Sequence, residues 1–290
     1  ADLFTVFIFF EIMSFTSYTW VVHDETPEAM RAGQTYLAVA IFGGMAMLMG
    51  LAILYTTAGT LTLSELYTAV SQLPEKGKVW AAGLLILTGF GAKAGMFPLH
   101  IWLPKAHPVA PAPASALLSG ILTKSGIFGV IAVTVNVFRH DPAWGKLLLI
   151  LGAVTMFGGA LLALFSVNFK RTLACSSMSQ IGFILVGVGL LAVLGEENML
   201  AARGTVLHMM NHSLFKLLLF MVAGVIYMNT HKLNLNELRG CGRGKPMLMV
   251  LYLSGALGIG GIPLFSGYIS KTLLHEGIVE YAALTAEQGG

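Results

Sequence analysis

Four lysines in this chain sit where lysine is expensive. Lys93, Lys124, Lys216 and Lys271 each fall inside a long apolar stretch, and Glu11 lies in another, between Phe9-Phe10 and Ile12-Met13. A charge at the centre of a membrane helix costs roughly 2.5–3.5 kcal/mol, so five of them without a role would forfeit on the order of 10 kcal/mol. A lysine held out of water can give up its proton, which is what a proton path requires. The plainer alternatives are snorkelling from a helix end and a fixed structural ion pair. Snorkelling suits Lys271 best, because it lies near the end of its stretch. His208, His212 and Lys216 recur at i, i+4 and i+8 and therefore share one helix face. Histidine titrates near neutral pH, which suits a relay. A His-x3-His pair also suits metal or haem, although no second histidine pair or carboxylate cluster completes such a site. Polar contacts between helices are the remaining alternative. His100 continues the line from Lys93, His107 is expected at the membrane interface, and His23, His140, His231 and His275 are expected in loops or at ends.

Two of the lysines stand beside helix breakers. Gly89-Phe90-Gly91-Ala92-Lys93-Ala94-Gly95-Met96-Phe97-Pro98 surrounds Lys93 with glycines and then meets a proline, and Gly258-Ile259-Gly260-Gly261-Ile262-Pro263 precedes Lys271. Proline removes a backbone hydrogen bond and frees a carbonyl. In lipid such breaks survive only where they line a cavity or are buried in protein. Ordinary proline kinks are the alternative, but Pro98, Gly261 and Pro263 in corresponding places point to the broken helices of an inverted-repeat transporter.

The elements that must hold these residues are membrane helices. The 290 residues are 56% hydrophobic and only 11% charged, with mean hydropathy +0.78. Soluble domains carry about 25% charge, so a soluble globular enzyme is excluded, as is disorder. A net charge of +3 spread over short loops excludes a nucleic-acid binder. A bilayer core needs about 20 apolar residues per helix. That ruler yields about eight spans, roughly 3–22, 30–55, 79–103, 112–137, 145–165, 173–194, 200–228 and 247–274. Ser64–Leu73 is expected as a brief interfacial helix with Ser64 as its cap and Leu66, Val70 and Leu73 on one stripe. No linker divides the chain, so residues 1–290 read as a single all-α transmembrane bundle. Loop lysines and arginines divide eight (Arg31, Lys105, Lys170, Arg171, Lys232, Arg239, Arg243, Lys245) against five (Lys76, Lys78, Arg139, Lys146, Arg203). By the positive-inside rule the first group is cytoplasmic and the first residue is outside. Ala1 is not a start methionine and Ala1–Phe10 is already apolar without a cleavage signal, so the chain reads as a fragment.

Longer motifs run through the same places. Phe10-Glu11-Ile12-Met13-Ser14, Gly91-Ala92-Lys93, Pro98-Leu99-His100-Ile101-Trp102-Leu103-Pro104-Lys105-Ala106-His107, Leu118-Ser119-Gly120-Ile121-Leu122-Thr123-Lys124, His212-Ser213-Leu214-Phe215-Lys216 and the segment from Gly261 to Lys271 resemble one family. It comprises the antiporter-like subunits of respiratory complex I, the large subunits of Mrp-type Na+/H+ antiporters and the membrane arms of energy-converting hydrogenases. The resemblance covers nearly the whole chain.

It implies a bundle of about fourteen helices built on two inverted five-helix repeats, of which this chain corresponds to helices five to twelve. Glu11 matches the fifth-helix glutamate, Lys93 the lysine on the broken seventh and Lys124 that on the eighth. His212 and Lys216 match the eleventh, and Lys271 the broken twelfth, where family members carry lysine or glutamate. The implied function is proton translocation in a redox-driven complex: Glu11 pairs with Lys93 and its withdrawal releases the proton. The proton then passes through His100 to Lys124, along His208, His212 and Lys216 to Lys271, and out. The alternative is a Na+/H+ antiporter subunit without redox coupling, and a membrane cytochrome is a third class. The chain shows no dinucleotide fingerprint, no P-loop and no cysteine set for iron–sulfur, with Cys175 and Cys241 far apart. No cofactor or metal is therefore expected on it. The expected partners are other membrane subunits, the bilayer and protons, with Na+ in the alternative, and the expected location is a bacterial or archaeal inner membrane.

Overall fold

Polar residues set where the helices begin. In the computed structural model, which describes residues 1–195 and 199–288, Asp2 caps α1 (Leu3–Val21) by accepting from Thr5 N. That bond holds the exposed Asp2 carboxyl below its ordinary pKa. Thr26 caps α2 (Pro27–Ala58), which has proline at its first position. α3 (Leu63–Ser71) starts at Thr62 and not at the expected cap Ser64. A short antiparallel bridge fixes the chain there, with Leu3 N donating to Leu61 O and Leu63 N to Ala1 O. The helix can begin only after it. Leu66 and Val70 are buried as the stripe requires.

The third expected span is α4 (Gly77–Ala94), a break, a 3₁₀ turn (Leu99–Trp102) and α5 (Leu103–Val109). The fourth is α6 (Ala112–Leu117), a π turn (Leu118–Leu122) and α7 (Thr123–Asn136). Then come α8 (Pro142–Leu164), α9 (Phe169–Val193), α10 (Met199–Thr230), α11 (Pro246–Gly260) and α12 (Ser266–Gln288). Among the described residues seven stretches are long and apolar enough to cross a bilayer, with α11 a shorter apolar helix. The eighth expected span, 247–274, is therefore two helices around residues 261–265, and the second runs on to Gln288.

Both breaks are built alike. α4 ends on Gly95 at φ 80° and α11 on Gly261 at φ 80°, the left-handed conformation that glycine alone adopts cheaply. In each, the next residue donates back into the helix, Met96 N to Gly91 O and Ile262 N to Leu257 O, closing a Schellman cap. Pro98 and Pro263 follow and prevent continuation.

The bundle core joins Phe10, Met47, Ile86, Phe90, Ile127, Trp144 and Ile184 from six helices. α8 and α9 meet backbone to backbone. A Cβ at Gly152 would lie 2.8 Å from Val186 N, and one at Gly182 would collide with the Met156 backbone. Such small-residue seams are how membrane helices gain close packing without a hydrophobic driving force. Successive spans run in opposite directions, so the loops alternate between two faces. Phe169 N donates to Leu233 O at one face, and Trp80 Nε1 donates to Asp141 at the other.

Candidate proton path

The first cluster is assembled from α1, α2 and the last turn of α4. Lys93 is buried and donates to Ser14 Oγ at 2.5 Å and Tyr36 OH at 3.2 Å. The rings of Phe10 and Tyr36 lie 5.2 and 5.4 Å from Nζ, a cation–π cradle. Tyr36 OH is shared with Ser17 Oγ at 2.5 Å, and Trp102 stands edge-on to Tyr36 while its indole N–H donates to Ala92 O at 2.8 Å. A cavity of about 10 Å³ beside Lys93 has room for about one water.

Glu11 makes no close ion pair with Lys93, although the two are near enough to act on one another electrostatically. Among the described residues no carboxylate oxygen lies within 4.0 Å of Nζ, and Glu11 Oε1 is buried without a hydrogen-bond partner. Helix geometry explains this: Phe10 and Ser14 share the face turned to Lys93, whereas position 11 is rotated by about 100°. That rotation carries the carboxylate against Gly44 of α2, where a Cβ would overlap it.

The second cluster centres on α9, whose side chains were not among the expected path residues. Lys124 follows the π turn and donates to Ser119 O at 2.6 Å within that turn. Ser119 Oγ meets Ser177 Oγ of α9 at 2.7 Å. Lys216, fully buried on α10, donates to Leu173 O of α9 at 2.8 Å and to Ser176 Oγ. His208 meets Gln180 Oε1 of α9 through Nε2 at 3.1 Å and Ser270 Oγ of α12 through Nδ1 at 3.0 Å. Asn211 Nδ2 donates to Ser266 O at 2.8 Å beside them. Leu173, Ser176, Ser177 and Gln180 fall at i, i+3, i+4 and i+7, so one face of α9 touches Lys124's partner, Lys216 and His208 in turn. The polar run Cys175-Ser176-Ser177-Met178-Ser179-Gln180 inside an apolar span is the signal that points to it.

His208, His212 and Lys216 share one buried face, as their spacing requires. His212 has no hydrogen-bond partner on either ring nitrogen. Lys271 is not snorkelling. Its Nζ turns into the protein and donates to Ile259 O at 2.9 Å and Gly260 O at 3.3 Å, carbonyls left over where α11 stops, with the Phe183 ring 4.9 Å away. His100 is half-buried in the turn after the first break, stacked on Phe97 with centroids 5.6 Å apart, and its Nδ1 has no partner. No hydrogen bond joins it to Lys93 or Lys124.

Two residues stand apart from where they were expected. His107 is not interfacial: it is fully buried, stacked on Phe220 with centroids 4.7 Å apart and no partner on either ring nitrogen. Lys124, Lys170 and Lys216 are near enough to act on it electrostatically. The cause is α5, which turns the chain inward after the break. Lys170 is not a loop charge. It sits buried in the first turn of α9, donates to Ala110 O at 2.8 Å and lies 5.8 Å from the Tyr227 ring centroid. Without it the loop cations stand at seven against five, the same direction of bias. Among the described residues no three of His, Cys, Asp and Glu gather as a metal set.

Spanning helices, two breaks closed by left-handed glycines and a buried row of lysines and histidines between them define a membrane subunit of the antiporter-like class. The chain belongs to the family described as NADH:quinone oxidoreductase/Mrp antiporter, transmembrane, which matches residues 1–286. It is 33% identical over 274 residues to an Na(+)/H(+) antiporter subunit of Alkalihalophilus pseudofirmus, covering 94% of this chain and 54% of that one. It is 35% identical over 279 residues to a hydrogenase-4 component of Escherichia coli, covering 93% and 41%. Among solved structures, the Mrp complex from Dietzia sp. DQ12-45-1b superposes with a TM-score of 0.89 at 26% identity, over 99% of this chain and 53% of that one. The membrane-bound sulfane sulfur reductase, an archaeal respiratory membrane complex, gives 0.86 at 26% identity, over 96% and 56%. The chain thus spans about half the length of the relatives it matches, and it is an integral membrane protein.

Proposed function

We propose that this chain is the core of a proton-translocating, antiporter-like subunit of a redox-driven membrane complex, corresponding to helices five to twelve of such a subunit. The observation that carries the reading is the α9 face, which links Ser119 beside Lys124, Lys216 and His208 by side-chain hydrogen bonds across three helices. Hydroxyls can pass a proton by accepting on one side and donating on the other. The proposed path enters at Lys93, passes His100 to Lys124, follows Ser119, Ser177, Ser176 and Lys216 to His212 and His208, and leaves by Lys271. Glu11 acts on Lys93 as a movable charge and not as a fixed partner. Its carboxylate has an unpartnered oxygen and can approach or withdraw without breaking a hydrogen bond. Energy comes from partner subunits through conformation or electrostatics.

The likeness to an Mrp complex and to an Na(+)/H(+) antiporter subunit favours a second reading, Na+/H+ exchange without redox coupling. The experiment is proton and Na+ flux in inverted membrane vesicles carrying the whole complex, with and without electron donor. Donor-dependent proton uptake that needs Lys124 supports the first reading. Donor-independent exchange of Na+ for H+ replaces it with the second, and flux unaltered in Lys124→Met removes the path from this chain.

A further inference from the structure

At the face that carries the α10–α11 loop, a groove of about 230 Å³ opens between the ends of three helices. Phe169 of α9, Ile226 of α10 and Leu248, Met249 and Tyr252 of α11 form its apolar wall, and Arg239 stands in its lining. The position is the headgroup level of a bilayer, because α10 ends at Thr230 and α11 begins at Pro246. The groove is smaller than the roughly 300–1,000 Å³ that encloses a drug-sized molecule. It suits the upper part of one acyl chain.

The loop above it concentrates charge. Gly240 and Gly244 both take φ 76°, and three successive turns wind the segment, Cys241 N to Leu238 O, Arg243 N to Gly240 O and Lys245 N to Gly242 O. A Cβ at Gly242 would collide with Met249, so the loop lies directly on the groove wall. Lys232 pairs with Glu237 at 3.0 Å. Arg239, Arg243 and Lys245 have no acidic partner among the described residues. An apolar slot lined by Arg239, under a loop that also carries the unpaired Arg243 and Lys245, on the face richer in lysine and arginine, is complementary to one ligand class.

We propose that this groove binds an anionic phospholipid, with an acyl chain along Ile226 and Tyr252 and the phosphate against Arg239, Arg243 and Lys245. The site is separate from the buried row of lysines and does not depend on their role.

The test is native mass spectrometry of the whole complex released from nanodiscs holding equal phosphatidylglycerol and phosphatidylcholine. Wild type is expected to retain phosphatidylglycerol preferentially, the preference falling as salt rises. Each cation near the surface contributes about fivefold, so the R239Q/R243Q/K245Q variant should lose roughly a hundredfold of that preference. Ile226→Trp should fill the groove and lose the lipid with all three cations present. Lys76→Gln with Lys78→Gln, on the opposite face, should change nothing. Equal retention of the two lipids by wild type overturns the proposal, and that measurement needs no variant to fold. Retention unchanged in the triple variant also overturns it. So does a cross-link from position 243 to another polypeptide in place of lipid, because the face is then a subunit interface.

Discussion

Lys93 and the lysines of the α7–α12 half are held by different kinds of partner. Lys93 rests on two hydroxyls and two aromatic faces, all side chains, each of which can rotate away. Lys124, Lys170, Lys216 and Lys271 each donate to a backbone carbonyl: Ser119 in the π turn, Ala110 at the end of α5, Leu173 in α9, and Ile259 and Gly260 at the second break. At the π turn, the end of α5 and the second break the carbonyl is one that a helix irregularity has freed, and the charge-assisted bond satisfies both partners at once, whereas Leu173 O lies within regular α9. The first cluster is therefore held wholly by groups that can rotate. In the second, position is coupled to helix geometry.

The comparison breaks most sharply at Lys124. Lys124→Met removes the ammonium donor from Ser119 O, which keeps the Thr123 hydroxyl, and removes the ionisable group from α7. Translocation in vesicles should fall by roughly a hundredfold or more, the scale of a lost acid–base group. Retained pumping would show that the second half does not need its carbonyl-held lysine. Lys271 tests the same idea with a graded series. If the residue must release its proton, Lys271→Arg should fail because guanidinium stays protonated. Lys271→Glu should retain part of the flux. Full flux in Lys271→Arg, with assembly checked by gel, would make Lys271 a plain helix cap.

Smaller effects separate hydroxyl from carbonyl. Ser177→Ala removes one link between Lys124's turn and α9, and a lost hydrogen bond of about 1 kcal/mol predicts about a fivefold slower flux. Tyr36→Phe should slow it by a similar factor while leaving Lys93 its Ser14 bond and both rings. A much larger loss would mean that Tyr36 OH carries the proton itself. The smallest expected change is in stability. Breaking a buried ion pair costs about 3–5 kcal/mol, but Glu11 and Lys93 form none, so Glu11→Gln should shift unfolding by under about 1 kcal/mol while impairing pumping. A drop of several kcal/mol on thermal or denaturant unfolding would restore the pair.

The broken helices were legible in the sequence because glycine and proline act locally, through backbone conformation and a missing donor. The buried row was legible because ionisable residues in apolar spans are rare. The neutral residues that connect it were not. Ser14, Tyr36, Ser119, Ser177 and Gln180 are ordinary one at a time, and only the packing of several helices shows which hydroxyls meet. Lys170 and His107 were misplaced for a related reason. Hydropathy locates a residue along the membrane normal, whereas burial at a helix end depends on what folds over it, here Ala110 and Tyr227 in one case and Phe220 in the other. The π turn left no mark, since its glycine and serine are equally at home in a regular membrane helix.

The glycine seam between α8 and α9 has a mechanical meaning. Where backbone abuts backbone there are no rotamers to shuffle, so this pair is a stiff beam in a bundle whose other joints are made of side chains. α9 carries the hydroxyl face on that beam, and α7 and α10 bear on it from the other side. A single methyl added at Gly152 or Gly182 would pry the beam apart without touching an ionisable group. Such a lesion would scatter the spacing of every donor and acceptor along α9, and it would read in an assay as a defect in coupling and not as the loss of any one residue.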